Sequence, residues 1–305
     1  MATQEVTRPS AGPAEPPQGS RRRSGQRTWL WGTLLALPTA WIVGFFVSSM
    51  VIVVLLSFGR TQRDGRPVFG TRLANYDALW NDVYLRLFLR SLSYALATTL
   101  ICALVAYPVA YAIALYGGRF KNVLIAAIVV PFFASYLIRM YAWSALLADD
   151  GVVNSALRKA GFGDGVQFLN TPFAVIGGLV YGYVVFMILP VYASLERMDV
   201  SLIEAGKDLY HGPLRTFFTV TLPASRAGLF GGMLLVFLPA LGDFVSAQLL
   251  GGPRTYMIGN LIQQQFLEGQ NWPLGSAMTV AMMIALTVLR VIYLRATTTR
   301  AREES

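Results

Sequence analysis

The stretch TWLWGTLLALPTAWIVGFFVSSMVIVVLLS, residues 28–57, contains no charged side chain. A helix of about 20 mostly apolar residues is enough to cross the roughly 30 Å hydrocarbon core of a bilayer. The run is too long, and begins too far from Met1, for a plain secretory signal peptide. It therefore predicts a membrane-spanning helix.

Similar apolar runs recur along the rest of the chain. They cover residues 91–116, 122–147, 173–195, 227–250 and 275–294. Only Arg139, Asp243 and Arg290 interrupt them with a charge. Charged residues make up 13% of the chain, about half of the roughly one quarter found in soluble domains. The sequence thus predicts an all-α, polytopic membrane protein with six transmembrane helices in one domain covering 28–295.

The distribution of basic residues predicts the orientation of these six spans. An even number of spans puts both termini on one side. If that side is the cytoplasm, the inside segments hold 14 Lys and Arg and the outside segments hold 9. This excess favours cytoplasmic termini by the positive-inside rule. Residues 1–27, with the run Arg21-Arg22-Arg23, are predicted to form a disordered basic tail, and 296–305 a short cytoplasmic tail.

The scarcity of reactive residues excludes several kinds of chemistry. None of the three lysines lies in a Gly-Lys-Ser/Thr sequence, so the chain lacks the usual P-loop for ATP hydrolysis. The single Cys102 excludes an intrachain disulfide, and the single His211 excludes a paired-histidine metal site. We predict no catalytic residue, no metal and no cofactor. A membrane-bound enzyme is therefore the weakest of the function classes considered.

The hydrophilic segment between the fourth and fifth runs, residues 198–229, has the features of two short helices. Ser201 and Glu204 fit a capping box that would begin the first helix. Pro213 suits the first position of the second helix. That helix is expected to end before Leu222-Pro223, because a residue that precedes proline is biased away from the helical conformation.

This segment resembles the EAA loop of bacterial ABC-importer permeases, which runs Glu-Ala-Ala, three residues, Gly, nine residues, Ile-x-Leu-Pro. Glu204-Ala205-Gly206 occupies the position of the first triplet, and Val220, Leu222 and Pro223 occupy the end of the pattern. The resemblance implies a cytoplasmic coupling loop that docks into a groove of an ATPase subunit. The chain departs from the family pattern at Gly206, where a second Ala is usual, and at Tyr210, where Gly is usual. Gly212 is expected to supply the turn instead.

A wider resemblance to the B-type subunit of the spermidine/putrescine permease family covers roughly 91–295. The residues that carry it lie in 135–143, 151–154, 239–245, 249–253, 257–266 and 271–273. It implies a type I ABC-importer permease in the bacterial cytoplasmic (inner) membrane, which translocates a polyamine. The implied partners are ATP-binding subunits, a second permease subunit and an extracytoplasmic solute-binding protein. Another small organic solute, and a secondary transporter or channel without an ATPase, are the alternatives.

Asp243 is the central candidate for the substrate path. A charge inside a span costs at least about 2.5–3.5 kcal/mol on insertion scales, so it must face a partner or a wet cavity. One interpretation is that Asp243 attracts a polycation. The other is a structural pair, for instance with Arg139 or with backbone donors near Gly251-Gly252. Arg139 would repel a polyamine, which favours a structural or helix-end role for it.

Aromatic residues and small-residue motifs complete the candidates. Trp143, Tyr181, Tyr183 and Trp272 are of the type that stacks on amines through cation–π contacts. The alternative for these rings is an interfacial aromatic belt. Gly178-x-x-x-Gly182 and Gly228-x-x-x-Gly232 permit close helix contact. Packing within the subunit is the default expectation for both motifs, with pairing to a second permease as the alternative for one of them.

Overall fold

The computed structural model describes the backbone of residues 24–303 except 63, 72, 162–165 and 211. Side chains are described for 34–291 and 295, with the same exceptions and also 210. Most of the predicted basic tail, residues 1–23, lies outside the described residues, as do 304–305. Residues 24–27, which the prediction places in the tail, belong to the first helix. The chain divides into two compact units, Met1–Ile52 and Val53–Ser305.

The described chain is built almost entirely of helices. The thirteen α-helices of the described ranges are α1 Ser24–Ser57, α2 Ala74–Asp77, α3 Asp82–Tyr116, α4 Lys121–Val129, α5 Tyr136–Leu147, α6 Val152–Lys159, α7 Pro172–Glu196, α8 Val200–Tyr210, α9 Pro213–Thr216, α10 Leu222–Gly242, α11 Val245–Leu249, α12 Ile258–Leu267 and α13 Trp272–Glu303. Three-residue or four-residue 3₁₀ turns cover Ala78–Trp80, Gly118–Phe120 and Val130–Phe133, and Phe217–Thr221 is a π-helical turn. The two-residue strands β1 Arg60–Thr61 and β2 Pro67–Val68 pair antiparallel.

Five helical segments of the described chain are long and apolar enough to cross a membrane. They are Leu34–Ser57, Asp82–Tyr116, Pro172–Glu196, Pro213–Gly242 and Trp272–Val291. A sixth candidate is the pair Gly118–Phe133 and Tyr136–Lys159, which meet at 90°. The predicted all-α membrane fold is confirmed.

The predicted third span, 122–147, is not one continuous helix. Helix α5 begins only after Ala134 and Ser135, whose ψ angles of 147° and 133° are extended. Pro131 lies in the tight turn just before them. Since proline removes a backbone donor and clashes with the preceding turn, the sequence carries a break here that hydropathy alone does not detect.

The core of the second unit is the packing of α3, α7 and α10. Its buried side chains are mostly small on α3, where Cys102, Ala106 and Ala110 are fully enclosed. Met187 of α7 and Val236 of α10 fill the space between the helices. Small residues let helix backbones approach closely, which matters because lipid leaves little hydrophobic drive for helix association.

Both Gly-x-x-x-Gly motifs of α7 and α10 make close contacts within the second unit. A Cβ on Gly228 of α10 would collide with the carbonyl oxygen of Pro190 and the Oγ of Ser194 on α7. A Cβ on Gly182 of α7 would lie 2.7 Å from the Tyr136 ring. The expectation that the motifs pack within the subunit is confirmed by these contacts.

Gly228→Ala should lower the thermal stability of the purified protein. The added methyl group meets backbone as well as side-chain atoms, so the helices must separate at a cost of roughly 1–3 kcal/mol. Gly231→Ala, on the same helix, is the matched control because its Cβ would meet no atom within 4 Å. Equal melting temperatures for the two variants in detergent would contradict the tight α7–α10 contact.

Candidate substrate-path and coupling sites

The fifth predicted apolar run is interrupted at Asp243. Helix α10 ends at Gly242, Asp243 is extended with ψ 130°, and α11 begins at Val245. Oδ1 of Asp243 accepts a hydrogen bond of 2.7 Å from the backbone N–H of Ser246. This side-chain bond caps the first turn of α11, as Asp commonly does at a helix start. The break therefore has a local chemical cause in the sequence.

Two tyrosine hydroxyls satisfy the other oxygen of Asp243, which is only 6% exposed. Oδ2 accepts from Tyr136 Oη at 2.6 Å and from Tyr183 Oη at 2.7 Å. Tyr136 Oη also lies 2.6 Å from Ser246 Oγ. Hydrogen bonds to an ionised acceptor are short and about twice as strong as neutral ones. The carboxylate is thus buried with both oxygens satisfied by α5, α7 and α11.

The two suggested partners of a structural Asp243 pair are wrong. Within the described chain Asp243 belongs to no ion pair, with Arg139 or with another cation. Its backbone donor is Ser246 and not a group near Gly251-Gly252. The Gly252 N–H instead donates to Thr255 Oγ1 at 2.7 Å.

Arg139 is surrounded by aromatic rings. The side chain is only 9% exposed, and its guanidinium carbon lies 4.9 Å from the Phe132 ring centre, 5.5 Å from Tyr136 and 5.8 Å from Tyr181. It occupies the first turn of α5, which is the end of a helix where the macrodipole disfavours a cation. Cation–π attraction partly offsets this.

The predicted aromatic candidates fall into two groups. Trp143 and Tyr181 pack together with ring centres 5.5 Å apart, and Tyr181 also contacts Arg139. Trp272 belongs to a different ring pair, edge-on to Phe266 at 5.9 Å. Sequence reasoning missed Tyr136, which links the two charges through its ring and its hydroxyl. Tyr136 is the first residue of α5 after the break that follows Pro131, and that position is the sequence feature that could have identified it as a candidate.

The first helix of the segment 198–229 begins two residues earlier than the predicted Ser201 cap implies. Helix α8 starts at Val200, and the N–H of Ser201 donates to Asp199 Oδ1 at 2.9 Å. Asp199, and not Ser201, therefore caps the helix. The same Ser201 backbone hydrogen bond holds the pKa of the Asp199 carboxyl below its usual value.

Gly206 explains how α8 packs on the following helix. Glu204 and Ala205 are exposed, whereas Gly206 is buried. A Cβ at Gly206 would lie 2.8 Å from Thr216 Cγ2 and 3.0 Å from Val220 Cγ2. The glycine that departs from the EAA pattern therefore allows α8 to approach the π-helical turn closely.

The turn between α8 and α9 does not require glycine at Gly212. Its φ of −176° is extended backbone that any residue adopts, and a Cβ there would meet nothing within 4 Å. The expectation that Gly212 replaces the usual turn glycine is thus not supported by its conformation. Pro213 occupies the first position of α9 as predicted. His211 and the side chain of Tyr210 lie outside the described residues.

The second helix does not end before Leu222-Pro223, contrary to the prediction. Leu222 is helical with φ −65° and ψ −45°, and its N–H bonds to the carbonyl of Phe217, five residues back. A π turn of this kind widens the helix just ahead of Pro223, which has no N–H to donate. Residues Pro213–Gly242 consequently form one helix of 30 residues.

Residues 106–302 match the family described as binding-protein-dependent transport system inner membrane component. The chain belongs to this family. Such permeases are multi-pass inner-membrane components of ABC transporters and not enzymes. Family membership sets aside the secondary-transporter alternative.

Named permeases are similar to this one over most of their length. It is 36% identical to the spermidine/putrescine transport system permease protein PotB of Haemophilus influenzae, covering 86% of this chain and 92% of that protein. PotB of Escherichia coli K12 is also 36% identical, with 86% and 96% covered. The inner membrane ABC transporter permease protein YdcU of Escherichia coli K12 is 36% identical, with 71% and 73% covered.

Solved structures of ABC transporters share the fold of this permease. A bacterial ABC transporter involved in import of the acidic polysaccharide alginate superposes with a TM-score of 0.68 at 20% identity, covering 91% of this chain and 96% of that chain. The MetNI methionine ABC transporter, in an inward-facing conformation, gives 0.53 at 16% identity, with 72% and 98% covered.

Gly206→Leu should destabilise the permease, because the new side chain has to occupy the contact with Thr216 and Val220. Overpacking of this kind typically costs roughly 1–3 kcal/mol. Ala205→Leu is the matched control, since residue 205 is exposed on the same helix. Melting temperatures of the purified variants provide the measurement. A Gly206→Leu protein as stable as the Ala205→Leu protein would show that α8 does not pack on the π turn.

Proposed function

We propose that this permease imports a polyamine such as spermidine or putrescine as the B-type subunit of an ATP-driven importer. The observation that carries the proposal is 36% identity to two PotB proteins over more than nine tenths of their length. The proposed partners are two ATPase subunits, a second permease subunit and an extracytoplasmic solute-binding protein. A different small organic solute is the second candidate, because the equally identical YdcU is named without a solute.

Asp243 is the proposed amine-recognition residue of the substrate path. Its carboxylate is buried at a helix break and is held by two neutral phenol donors, Tyr136 and Tyr183. A protonated amine also donates N–H bonds and adds charge attraction, so it can replace a phenol on Oδ2. Trp143 and Tyr181, which pack against each other, are the proposed ring faces on which an amine stacks elsewhere in the path. Trp272 stays a candidate residue of the path, but its ring packs on Phe266 and we propose no substrate contact for it.

Asp243→Asn should weaken polyamine uptake while the importer still assembles. The amide keeps an oxygen for the Ser246 N–H but loses the charge that attracts an ammonium group. Hydrogen bonds to charged groups are worth roughly 1.5–3 kcal/mol, so KM should rise about tenfold or more. Uptake of labelled spermidine by the complex in proteoliposomes provides the measurement.

Tyr136→Phe is the matched control for that experiment, because it removes a donor to Asp243 without changing the charge. If Asp243 only anchors the helix break, both variants should lose thermal stability together and uptake should fall in proportion to the folded protein. Wild-type uptake and stability in Asp243→Asn would exclude both roles. Failure of the wild-type complex to carry any polyamine would overturn the substrate assignment itself.

The segment 198–223 is the proposed docking site for the ATPase. Glu204 and Ala205 are exposed, and the apolar side chains of Leu202, Leu214 and Phe218 are 52%, 75% and 63% exposed. An exposed apolar patch with a polar rim is typical of an interaction surface. Leu222 and Pro223 match the end of the EAA pattern that this segment resembles.

The helix from Pro213 to Gly242 offers a route from this docking site to Asp243. At 1.5 Å per residue, 30 helical residues extend about 45 Å. One end packs on α8 through Gly206, and the other leads directly into the Asp243 break. In the proposed mechanism, closure of the ATPase dimer moves α8, and α10 carries that movement to the substrate path.

A cysteine at Ser201, in a Cys102→Ser background, should react with an impermeant maleimide only from the cytoplasmic side. Ser201 is exposed, while Cys102 is fully buried. Addition of the ATPase subunits should slow the labelling several-fold if α8 docks. Asp150→Cys, in the segment predicted to lie outside, is the opposite control, since its side chain is fully exposed. Labelling of residue 201 from outside would overturn both the orientation and the docking proposal.

A further inference from the structure

We propose that Arg139 forms an ion pair with a carboxylate of the second permease subunit, so that the Arg139 site is incomplete in this chain alone. The proposal rests on the proposed function, which supplies the second permease subunit and a cationic solute that cannot provide the missing anion. It identifies one residue that pairs the two subunits.

Among the residues that the structure describes, the guanidinium of Arg139 has no hydrogen-bond or ion-pair partner. Its Nε is fully buried and has no hydrogen bond. The ion pairs among the residues that the structure describes are Arg66–Asp64, Lys121–Glu196 and Arg158–Asp150, and none includes Arg139. The terminal nitrogens are not among the fully buried atoms without a partner, so the remaining 9% exposure of the side chain leaves them an opening.

The aromatic surroundings of Arg139 do not replace an anion. Three rings lie 4.9–5.8 Å from the guanidinium carbon and stabilise the positive charge. Ring faces are weaker hydrogen-bond acceptors than oxygen atoms, and the N-terminal turn of α5 adds unfavourable positive potential. A buried charge is normally both paired and hydrogen-bonded. An arginine guanidinium can form a bidentate pair, in which two of its N–H groups donate to the two oxygens of one carboxylate.

The surface beside Arg139 is suited to a second membrane protein. Leu137, Ile138 and Tyr141 of α5 are 51%, 66% and 61% exposed. The preceding helix, α4, has no buried residue. A spanning helix of the second permease can cover this apolar surface and bring an acidic side chain to the opening. Charge complementarity favours that subunit, because no acidic side chain in the described part of this chain pairs with Arg139 and a polycationic solute carries no anion.

The test compares the isolated chain with the assembled importer for Arg139→Met, which keeps the side-chain bulk in the aromatic cage. In the isolated chain the melting temperature should stay the same or rise, because an unpaired buried charge has been removed. In the complex it should fall by at least about 6 °C, because a partner carboxylate is left without its cation. Recovery of the second permease on affinity purification should fall in parallel.

Lys121→Met is the matched control. Lys121 pairs at 3.0 Å with Glu196 of the same chain, so its loss should affect the isolated chain and the complex alike. A charge exchange provides a second test in the intact importer. Arg139→Glu should lose assembly, and a single Asp→Arg or Glu→Arg change within the spans of the second permease should restore it.

Other outcomes overturn the proposal. Equal destabilisation of chain and complex by Arg139→Met would make Arg139 an internal structural residue. Unchanged assembly with lost uptake would assign the anion to the solute. A third outcome is that phosphatidylglycerol stabilises the wild-type chain but not Arg139→Met, while assembly is unchanged. That result would assign the anion to a lipid. Failure of every charge exchange would also refute it. Polyamine uptake is measured separately, so a wrong substrate assignment does not change the assembly results.

Discussion

The buried carboxylate of Asp243 is the interaction on which the inner part of the structure depends. A charge in a spanning segment has to be satisfied, and here α5, α7 and α11 each supply a donor. That requirement draws the broken third span toward the core, since Tyr136 follows the break directly. It also accounts for Gly182, because a larger residue there would occupy the space of the Tyr136 ring.

One long helix connects the Asp243 break to the segment 198–223, which is cytoplasmic in the proposed topology. Helix α9, the π turn and α10 form one continuous helix from Pro213 to Gly242, so the two ends of that helix are mechanically linked. Tight contacts hold it along the way, where Thr216 and Val220 meet Gly206 of α8 and where Gly228 meets α7. A rigid helix with constrained ends transmits a displacement better than a chain of loops, which is the property that coupling to an ATPase demands.

Hydropathy predicted the membrane fold and most of the spans because it detects what has to face lipid. It could not predict the start of α3 at Asp82, since Arg86 and Arg90 lie on the helix and the Arg90 guanidinium bonds to the Tyr256 carbonyl. The sequence did not predict a continuous helix through Leu222-Pro223, because a residue before proline is biased away from the helical conformation. The π turn overcomes that bias and keeps Leu222 helical. The Asp243 partners were missed because they come from residues 60 and 107 positions away.

The proposed path also has to release what it binds. In the closed cluster Asp243 already accepts three hydrogen bonds, so an amine gains access by exchanging with a phenol and not by filling an empty site. Exchange conserves the number of hydrogen bonds, and the net gain is the charge attraction minus the lost phenol contact. Binding of this kind is modest, and transport needs a site that is favourable enough to enter and weak enough to leave. In the proposed path, the two tyrosines on separate helices, α5 and α7, make Asp243 a transient site, since return of either phenol to the carboxylate displaces the amine.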